Sequence, residues 1–177
     1  MKGREGVYGS PPLALALPSA DAIQLSPLIP GADALEEVLS ASLSRVVVLA
    51  PPGTLERRFV LAHALRALAP AGELLALALK DRGGARLCKE LEAFGCEVRE
   101  TARRHHRICL THRPVEPIGL DAAIVAGALQ WVPSLGSWSQ PGVFAWNRID
   151  PGSAHLIDAP PALTGRGADL GCGWGVL

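Results

Sequence analysis

The sequence predicts an α/β fold, in which helices pack on the faces of a layered sheet. Two runs, RVVVLA from residue 45 and ELLALAL from residue 73, are apolar without polar alternation. Such runs are typical of central parallel strands that are covered on both faces. Each run precedes a segment with apolar residues at helical spacing, residues 55–69 and 85–94. Alternation of strand and helix predicts a layered sheet whose crossovers are right-handed.

The first 43 residues carry weaker signals. The stretch PPLALALP (11–18) is short, is bounded by prolines and lacks the small-residue exit of a signal peptide. We interpret it as a core strand or an extended arm. Residues 23–31 alternate apolar with small or polar side chains. Residues 32–43 predict a short amphipathic helix, because three apolar residues recur at helical spacing: Leu35, Val38 and Leu39.

Turn residues set the expected boundaries of the later elements. Thr54 is the predicted cap of the first long helix, and the Pro-Ala-Gly sequence at residues 70–72 is expected to end it. Gly95 is expected to end the second helix. Beyond it, residues 96–101 and 107–111 alternate loosely, which predicts an antiparallel pair of strands.

Composition narrows the classes of protein that remain. The 177 residues are 49% hydrophobic and 19% charged, with 17 basic and 17 acidic side chains. This balance favours a folded globular protein without a global attraction to nucleic acid or acidic membranes. No run approaches the ~20 apolar residues of a membrane span. The four cysteines match no zinc-ligand spacing, so we expect a reduced, cytoplasmic protein without a metal or a membrane partner.

The last residues contain alternating glycines in the pattern Asp-x-Gly-x-Gly-x-Gly, formed by Asp169, Gly171, Gly173 and Gly175. Glycines before a helix N-terminus let the backbone approach a bulky ligand and take positive φ. A dinucleotide fingerprint would read Gly-x-Gly-x-x-Gly, so this spacing disfavours a nicotinamide oxidoreductase. The pattern resembles the first motif of class I S-adenosylmethionine-dependent methyltransferases. The alternative interpretation is a frayed, flexible C-terminus.

The segment before the glycines makes the resemblance more specific. Residues 119–131 are helix-like, and residues 133–157 are rich in Gly, Pro, Ser and Trp. This second segment contains a Pro-Gly-Val-Phe sequence, formed by Pro141, Gly142, Val143 and Phe144. An Asp-x-Gly-Ser sequence follows, formed by Asp150, Gly152 and Ser153, and after it come Leu156 and Ile157. Together with the glycines, this order resembles the RsmC-like family of ribosomal RNA guanine-N2 methyltransferases, and the resemblance extends over most of the chain.

The resemblance implies a Rossmann-like methyltransferase-type sheet with helices on both faces. It implies three parts: a degenerate, non-catalytic N-terminal domain at 1–118, an interdomain linker and cofactor-flanking segment at 119–159, and the first strand and glycine loop of a truncated catalytic domain at 160–177. It also implies S-adenosylmethionine as cofactor and small-subunit ribosomal RNA as partner of the full-length protein. By the same resemblance, the cofactor-binding residues are Phe144, Asp150, Gly152, Ser153, Asp169, Gly171, Gly173 and Gly175.

No catalytic residue is expected in this chain. The family binds the target amine with the motif Asn-Pro-Pro followed by Phe or Tyr. The sequence after the first buried strand matches only the two prolines of this motif. There Ala50 and Gly53 flank Pro51-Pro52, and these two residues can neither accept a hydrogen bond from the amine nor stack on a base. We therefore interpret Pro51-Pro52 as a strand-ending turn. The chain is expected to be a recognition or scaffold part that is inactive alone; the alternative is a non-catalytic RNA-binding or interaction module.

A basic cluster is the candidate RNA-binding surface, and its members are Arg103, Arg104, Arg107 and Arg113. The competing interpretation is the solvated face of an edge hairpin whose charges discourage edge pairing. The nearby His106, Cys109 and His112 are poor metal ligands, because residues three apart on a strand point to opposite faces.

Two further features have ordinary interpretations beside their functional ones. Residues 80–84 predict a tight strand-to-helix turn rather than a phosphate loop, because the Lys-Ser/Thr ending of a P-loop is missing. Trp131, Trp138 and Trp146 with Phe144 predict either a base-stacking platform or anchors of a linker, and we expect some of them to be exposed.

Overall fold

A six-stranded sheet organises the first part of the chain. The computed structural model describes residues 3–158, 165–168 and 172–175, and the chain divides into two units between Ala126 and Gly127. The strands of the first unit are β1 (Glu5–Tyr8), β2 (Ile23–Gln24), β3 (Leu43–Leu49), β4 (Leu68–Leu79), β5 (Arg99–Arg103) and β6 (His106–His112). Their order in the sheet is β2-β1-β3-β4-β6-β5. The first four strands pair in parallel, and β6 pairs antiparallel with both β4 and β5.

Three helices belong to this part of the chain: α1 (Thr54–Ala67), α2 (Ala85–Glu92) and α3 (Leu120–Gly127). Helix α1 connects β3 to β4, and α2 follows β4, so strand and helix alternate as the sequence predicts. Both helices contact the central strands. The predicted α/β class is confirmed.

The core forms where the two predicted apolar runs lie side by side. Val46, Val48, Leu74 and Ala76 are fully buried, and β3 and β4 align Val46 with Leu74 and Val48 with Ala76. Burial of a valine or leucine side chain contributes about 1.5–3 kcal/mol to the free energy of folding. This is the reason the two runs form strands at the centre of the sheet.

The alternate residues of the same strands form a second cluster on the opposite face. Val7, Val47 and Leu77 are buried there together with Ala16, and Leu15 and Ala22 pack against them. Among the described residues, this cluster has members from strands and coil and none from a helix, so coil between β1 and β2 covers part of this face. Toward the amino ends of the strands the apolar cluster gives way to charge: Arg45 pairs with Glu5 at 2.8 Å and with Glu73 at 2.7 Å.

The predicted helix at 32–43 is wrong. Only Leu35–Glu37 form a single 3-10 turn, and Val38 is already extended. Ala41 has a positive φ of 57°, and Leu43 begins β3, whose pairing with β1 and β4 satisfies its backbone groups. Tertiary strand pairing therefore overrides a short helical pattern, which is also weakened by two serines, Ser40 and Ser42.

The prediction of a core strand within 11–18 is also wrong. This stretch is a turn and coil in which Leu13 is 72% exposed and Leu17 is 70% exposed, although Ala16 is buried. The strand in this region is β1, whose four residues have too short an apolar pattern to be recognised. The stretch still covers the sheet, as the alternative of an extended arm implies.

The helix boundaries in the structure agree only in part with those predicted from the sequence. Gly53, not Thr54, is the N-cap of α1, without a side-chain cap bond. The helix ends at Ala67, and the Pro-Ala-Gly sequence at 70–72 lies inside β4 rather than in a turn after the helix. Gly95 ends the second helix as predicted: its φ is +86°, and the Cys96 N–H donates to the Leu91 carbonyl at 3.2 Å. The predicted antiparallel pair is confirmed as β5 and β6.

The second unit contains a short hairpin, β7 (Gln130–Val132) with β8 (Ser137–Ser139), and a helix, α4 (Pro151–Asp158). The sequence indicated neither element within the segment interpreted as a linker. Trp131 and Trp138 face each other across the hairpin with ring centroids 6.1 Å apart.

Candidate functional sites

A cavity of about 320 Å³ lies at the carboxyl ends of the parallel strands. Its wall includes Tyr8 from β1, Leu49 from β3 and Leu79 from β4, the last residues of their strands. The chain leaves β1 toward β2 on one side and leaves β3 toward β4 on the other, so the topology reverses between β1 and β3. This is the position at which open α/β sheets bind ligands. We call it the switch-point cavity.

The switch-point cavity lacks the features of a nucleotide cofactor site. The turn after β1 reads Gly-Ser-Pro-Pro (9–12), with a single glycine. At the end of β2, Gln24 stands where an acidic residue would bind ribose hydroxyls. Its side chain is engaged locally: Nε2 donates to the Gly9 carbonyl at 3.1 Å, and Oε1 accepts the N–H groups of Leu25 and Ser26 at 2.9 Å each. Among the described residues, this position therefore has neither the glycine-rich turn nor the acidic residue of a nucleotide cofactor site.

The turn at Ala50–Gly53 is occupied by a buried arginine. Arg57 is 1% exposed, and its Nη1 donates to the carbonyls of Pro51 and Pro52 at 3.1 and 2.7 Å. Glu90 holds the same guanidinium in a bidentate pair, at 2.6 Å to Nε and 2.7 Å to Nη2. The carbonyl oxygens of the proline pair are thus used internally. This confirms the interpretation of Pro51-Pro52 as a structural turn.

The segment at residues 80–84 is a tight strand-to-helix turn, as the sequence predicts. Gly83 has a φ of +94°, and a Cβ at this position would collide with the Arg57 guanidinium. A Cβ on Gly84 would lie 2.7 Å from the carbonyl oxygens of Ala78 and Leu79. The two glycines are therefore required by backbone geometry and by the close approach of Arg57.

Among the ionisable groups that line the switch-point cavity, sequence reasoning missed Tyr8 and Glu56. Burial raises the pKa of the Tyr8 phenol, and the nearby carboxylates of Glu56 and Glu36 raise it further. Burial also raises the pKa of Glu56, which the neighbouring Arg57 partly offsets. The Glu56 carboxylate forms no hydrogen bond with residues in the described part of the chain. It is available to a ligand.

The basic residues of the β5–β6 hairpin form an exposed cluster at the same end of β4. Arg104 and His105 make the turn, with φ of 47° and 61°, and Leu79 of β4 aligns with His106. His106 Nδ1 donates to the Arg104 carbonyl at 2.8 Å. Arg107 is half-buried and lies 3.4 Å from Glu100. We call Arg103, Arg104 and His105, with Lys80 beside them, the basic hairpin tip.

The structure separates Arg113 from the other three arginines of the predicted RNA patch. It follows the far end of β6, where its side chain donates to the Leu68 carbonyl and its N–H donates to the Gly72 carbonyl at 2.8 Å. Strand β6 has seven residues, so a full strand length lies between Arg113 and the hairpin tip. Its guanidinium supports the start of β4.

The strand positions of His106, Cys109 and His112 differ in exposure, as alternation requires. Cys109 is fully buried, whereas His112 is exposed. Within residues 3–158 and the two short described segments that follow, no three His, Cys, Asp or Glu side chains are grouped to hold a metal ion.

In the second unit, Asp150 caps helix α4. Its Oδ1 accepts the N–H of Gly152 at 3.0 Å and its Oδ2 accepts the Ser153 hydroxyl at 2.5 Å. The hydrogen bond from Ser153 lowers the pKa of the Asp150 carboxyl, and Pro151 takes the favoured first helical position. The Asp-x-Gly-Ser motif therefore has a structural explanation that does not require a cofactor.

The described part of the glycine segment lies beside the Pro-Gly-Val-Phe motif. Gly173 and Gly175 have φ of +59° and +79°, and the Gly175 N–H donates to the Cys172 carbonyl at 2.8 Å. A Cβ on Gly173 would lie 3.8 Å from the Phe144 carbonyl oxygen. Asp169, Gly171 and the predicted strand before them lie outside the described residues. The structure thus brings together Gly173 and Phe144 of the predicted cofactor residues.

Three aromatic side chains of the second unit are exposed, as expected of some of them, whereas Trp146 is half-buried. Trp131 is 50% exposed, Trp138 is 59% exposed and Phe144 is 73% exposed. The pair of tryptophans is fixed by the hairpin rather than by a flexible linker.

Comparison with known proteins adds family information to this geometry. The family model of the Methyltransferase small domain matches residues 135–177, which include the Pro-Gly-Val-Phe motif and the glycine segment. Among curated proteins, the chain is similar to the ribosomal RNA small subunit methyltransferase C of Pseudomonas paraeruginosa, with 32% identity over 167 residues. This match covers 87% of the chain and 48% of the relative.

Further relatives of the same description agree. The enzyme of Pseudomonas aeruginosa (strain UCBPP-PA14) is 36% identical over 141 residues, which cover 73% of the chain and 40% of the relative. That of Aeromonas hydrophila is 34% identical over 144 residues, which cover 75% of the chain and 40% of the relative. The chain thus spans about half the length, or less, of the curated relatives it matches.

Among solved structures, the chain is similar to the Thermus thermophilus 16S rRNA N2 G1207 methyltransferase (RsmC), solved with AdoMet and guanosine. The TM-score is 0.62 at 21% identity, and the match covers 88% of this chain and 47% of that one. The fold is therefore that of a class I methyltransferase. Within that class the chain is RsmC-like, as its motifs predict.

Of the helices that the structure describes, none has the length and apolar character needed to cross a membrane.

Proposed function

We propose that the chain is part of an S-adenosylmethionine-dependent methyltransferase that modifies the exocyclic N2 of a guanine in small-subunit ribosomal RNA. The observation that carries the proposal is the match to ribosomal RNA small subunit methyltransferase C over 87% of the chain. The structural neighbour, described as an N2 G1207 methyltransferase in complex with AdoMet and guanosine, supports the same reaction. Such a protein acts where ribosomal RNA is made and assembled, in the cytoplasm.

Residues of the second unit are proposed to hold the cofactor, namely Phe144, Asp150, Gly152, Ser153, Asp169, Gly171, Gly173 and Gly175. The described residues fit this role at one point: Gly173 takes a positive φ and passes close to the Phe144 backbone without a side chain between them. S-adenosylmethionine supplies an electrophilic methyl group on a sulfonium. The glycine backbone can approach such a ligand, and free N–H groups can orient its carboxylate.

The first unit is proposed to recognise or position RNA and not to react. Ala50 and Gly53 lack the groups that would clamp an amine, and Arg57 already binds the carbonyls of Pro51 and Pro52. Alignment of a nucleophile with a methyl donor supplies most of the acceleration in such a transfer. With no clamp in the described residues, the 177-residue chain alone is expected to transfer no methyl group.

Calorimetry with S-adenosylmethionine, S-adenosylhomocysteine and NAD tests the cofactor assignment. We expect the first two to bind the chain and NAD not to bind. Gly173→Val should abolish binding, because a β-branched residue disfavours positive φ. Gly167→Val is the matched control, since a Cβ at Gly167 meets no atom within 4 Å. Binding of NAD, or equal affinity of both variants, would contradict the assignment.

The second candidate is a non-catalytic RNA-binding or interaction module. Occupation of the proline-pair carbonyls by Arg57 and the exposed basic hairpin tip favour it. Failure of the chain to bind S-adenosylmethionine, together with retained RNA binding, would select this candidate.

A further inference from the structure

We propose that the switch-point cavity binds the guanine base of an unpaired nucleotide, and that the adjacent basic hairpin tip binds the phosphates of that nucleotide. The phosphate part rests on the proposed RNA-binding function; the base-binding part does not. Free guanosine monophosphate and an unpaired guanosine within RNA offer the same chemistry to this site.

Position and size support a ligand site. The cavity lies where the topology of the sheet reverses, which is where ligands of open α/β sheets bind. Its volume of about 320 Å³ is near the lower end of the ~300–1,000 Å³ typical of small-molecule sites. A single nucleoside suits this size better than a dinucleotide.

The walls suit the two faces of a base. Pro51, Pro52, Leu49 and Leu79 contribute apolar surface to the cavity. Arg57 fixes both prolines through their carbonyls, so this wall is rigid before a ligand arrives. Preorganised apolar walls favour a flat heterocycle, because few side chains must be ordered on binding.

Glu56 provides the selectivity for guanine. An ionised carboxylate only accepts hydrogen bonds, and it offers two oxygens. Guanine presents two adjacent donors, the ring N1–H and the exocyclic N2–H, whereas the corresponding edge of adenine presents an acceptor beside its single amine. Glu56 lines the cavity and has no partner among the described residues, so it can bind both guanine donors.

The rim of the cavity continues into the basic hairpin tip. Arg82 and His106 line the switch-point cavity, and His106 also lines a neighbouring concavity of about 220 Å³ together with Lys80, Arg103 and Arg104. A nucleotide with its base against Glu56 would therefore direct its phosphate toward exposed cations. Neutralised phosphates give sequence-independent affinity, and base contacts give selectivity.

The cavity does not suit S-adenosylmethionine. The turn at 9–12 has one glycine, and the Gln24 side chain is already used by the backbone of Gly9, Leu25 and Ser26. Neither the glycine cradle nor the ribose-binding acid of a cofactor site is present here.

Binding of guanosine monophosphate and adenosine monophosphate to the 177-residue chain by calorimetry tests the proposal. We expect guanosine monophosphate to bind at least about tenfold more tightly than adenosine monophosphate. Glu56→Gln should remove this preference, and Ser10→Trp, which narrows the same cavity, should weaken guanine binding. Glu37→Gln is the control, because Glu37 is an exposed acidic residue that does not line this cavity.

An RNA arm separates the two sources of the nucleotide. A short single strand with one guanosine should compete with guanosine monophosphate. Arg103→Glu with Arg104→Glu should weaken the binding of both ligands, and that of the RNA more strongly, because the RNA carries more phosphates. Competition assigns the site to RNA, and its absence assigns it to the free nucleotide. Equal binding of both monophosphates, no binding of either, or displacement by S-adenosylmethionine would overturn the proposal. Cofactor binding at Gly173 is measured separately, so failure of this proposal would not be mistaken for failure of the proposed function.

Discussion

A single buried arginine holds the proline pair of the first unit in its turn. Arg57 is an unexpected residue on a helix face whose other members are apolar, and it is fully buried. It connects the Pro51-Pro52 turn, the Gly83 turn and Glu90 of α2. Burying a charge is costly unless it is paired and hydrogen-bonded, and here four acceptor oxygens at 3.1 Å or less satisfy the guanidinium.

Removal of this arginine should therefore destabilise the first unit strongly. Arg57→Ala leaves the Glu90 carboxylate buried without its partner, and we expect a loss of about 3–5 kcal/mol in the free energy of unfolding. Urea denaturation measures it. Arg57→Met combined with Glu90→Leu should recover most of the loss, and Arg86→Ala, on the exposed side of α2, should change little. A loss below about 1 kcal/mol for Arg57→Ala would contradict this role.

A buried histidine predicts a pH dependence of stability. His63 is 6% exposed and packs edge-on against Phe59, and neither ring nitrogen has a hydrogen-bond partner within the part of the chain that the structure describes. Burial, with a contribution from Arg66, lowers the pKa of His63 from 6.5 to about 4. Between these values the unfolded chain binds a proton that the folded chain does not, so the free energy of unfolding should fall as pH falls from about 6.5 to 4.

The His63 contribution should amount to as much as about 3 kcal/mol. Urea denaturation at a series of pH values measures it. His63→Phe should remove this part of the pH dependence, whereas the exposed His105→Gln should retain it. Parallel pH profiles for wild type and His63→Phe would contradict the assignment.

At the scale of elements, the β5–β6 hairpin is the surface that should contact RNA. Arg103→Glu with Arg104→Glu reverses two exposed charges at the hairpin tip. Affinity for small-subunit ribosomal RNA should fall, and the salt dependence should lose about 0.7–0.9 of slope for each phosphate contact removed. Filter binding at several salt concentrations measures both. Arg86→Glu with Lys89→Glu, at two exposed positions of α2, is the charge-matched control; an equal loss there would indicate non-specific attraction only.

The elements that the sequence predicts correctly are those with an unbroken local pattern. Strands β3 and β4 are recognised from continuous apolar runs, and the β5–β6 hairpin from alternation. The segment at 32–43 fails because a helical spacing of three apolar residues is weaker than strand pairing at Leu43. Strand β1 is missed because only Val7 and Tyr8 of its four residues have large apolar side chains.

The candidate sites also differ in whether a local sequence pattern predicts them. Glycine spacing and the Pro-Gly-Val-Phe motif are local, so the sequence indicates them, and the structure brings Gly173 near Phe144. The switch-point cavity is built from five separated stretches of chain, and no local pattern predicts their meeting. The signals that were available are single residues: Arg57 within an apolar helix and Glu56 beside it.

For the whole molecule, a neutral net charge means that RNA affinity depends on local features. The first unit carries the methyltransferase-type sheet, the switch-point cavity and the basic hairpin tip. The second unit carries the glycine segment and the motif matched by the Methyltransferase small domain. We therefore expect recognition of RNA and binding of cofactor to depend on different residues of the same chain.

One measurement tests this account most directly: incubation of the 177-residue chain with small-subunit ribosomal RNA and methyl-labelled S-adenosylmethionine, with RNA binding and methyl incorporation followed in the same sample. We predict salt-dependent RNA binding that the hairpin-tip variant weakens, without label in the RNA. Incorporation of labelled methyl into guanine by this chain, or RNA binding that the hairpin charges do not affect, would contradict the account.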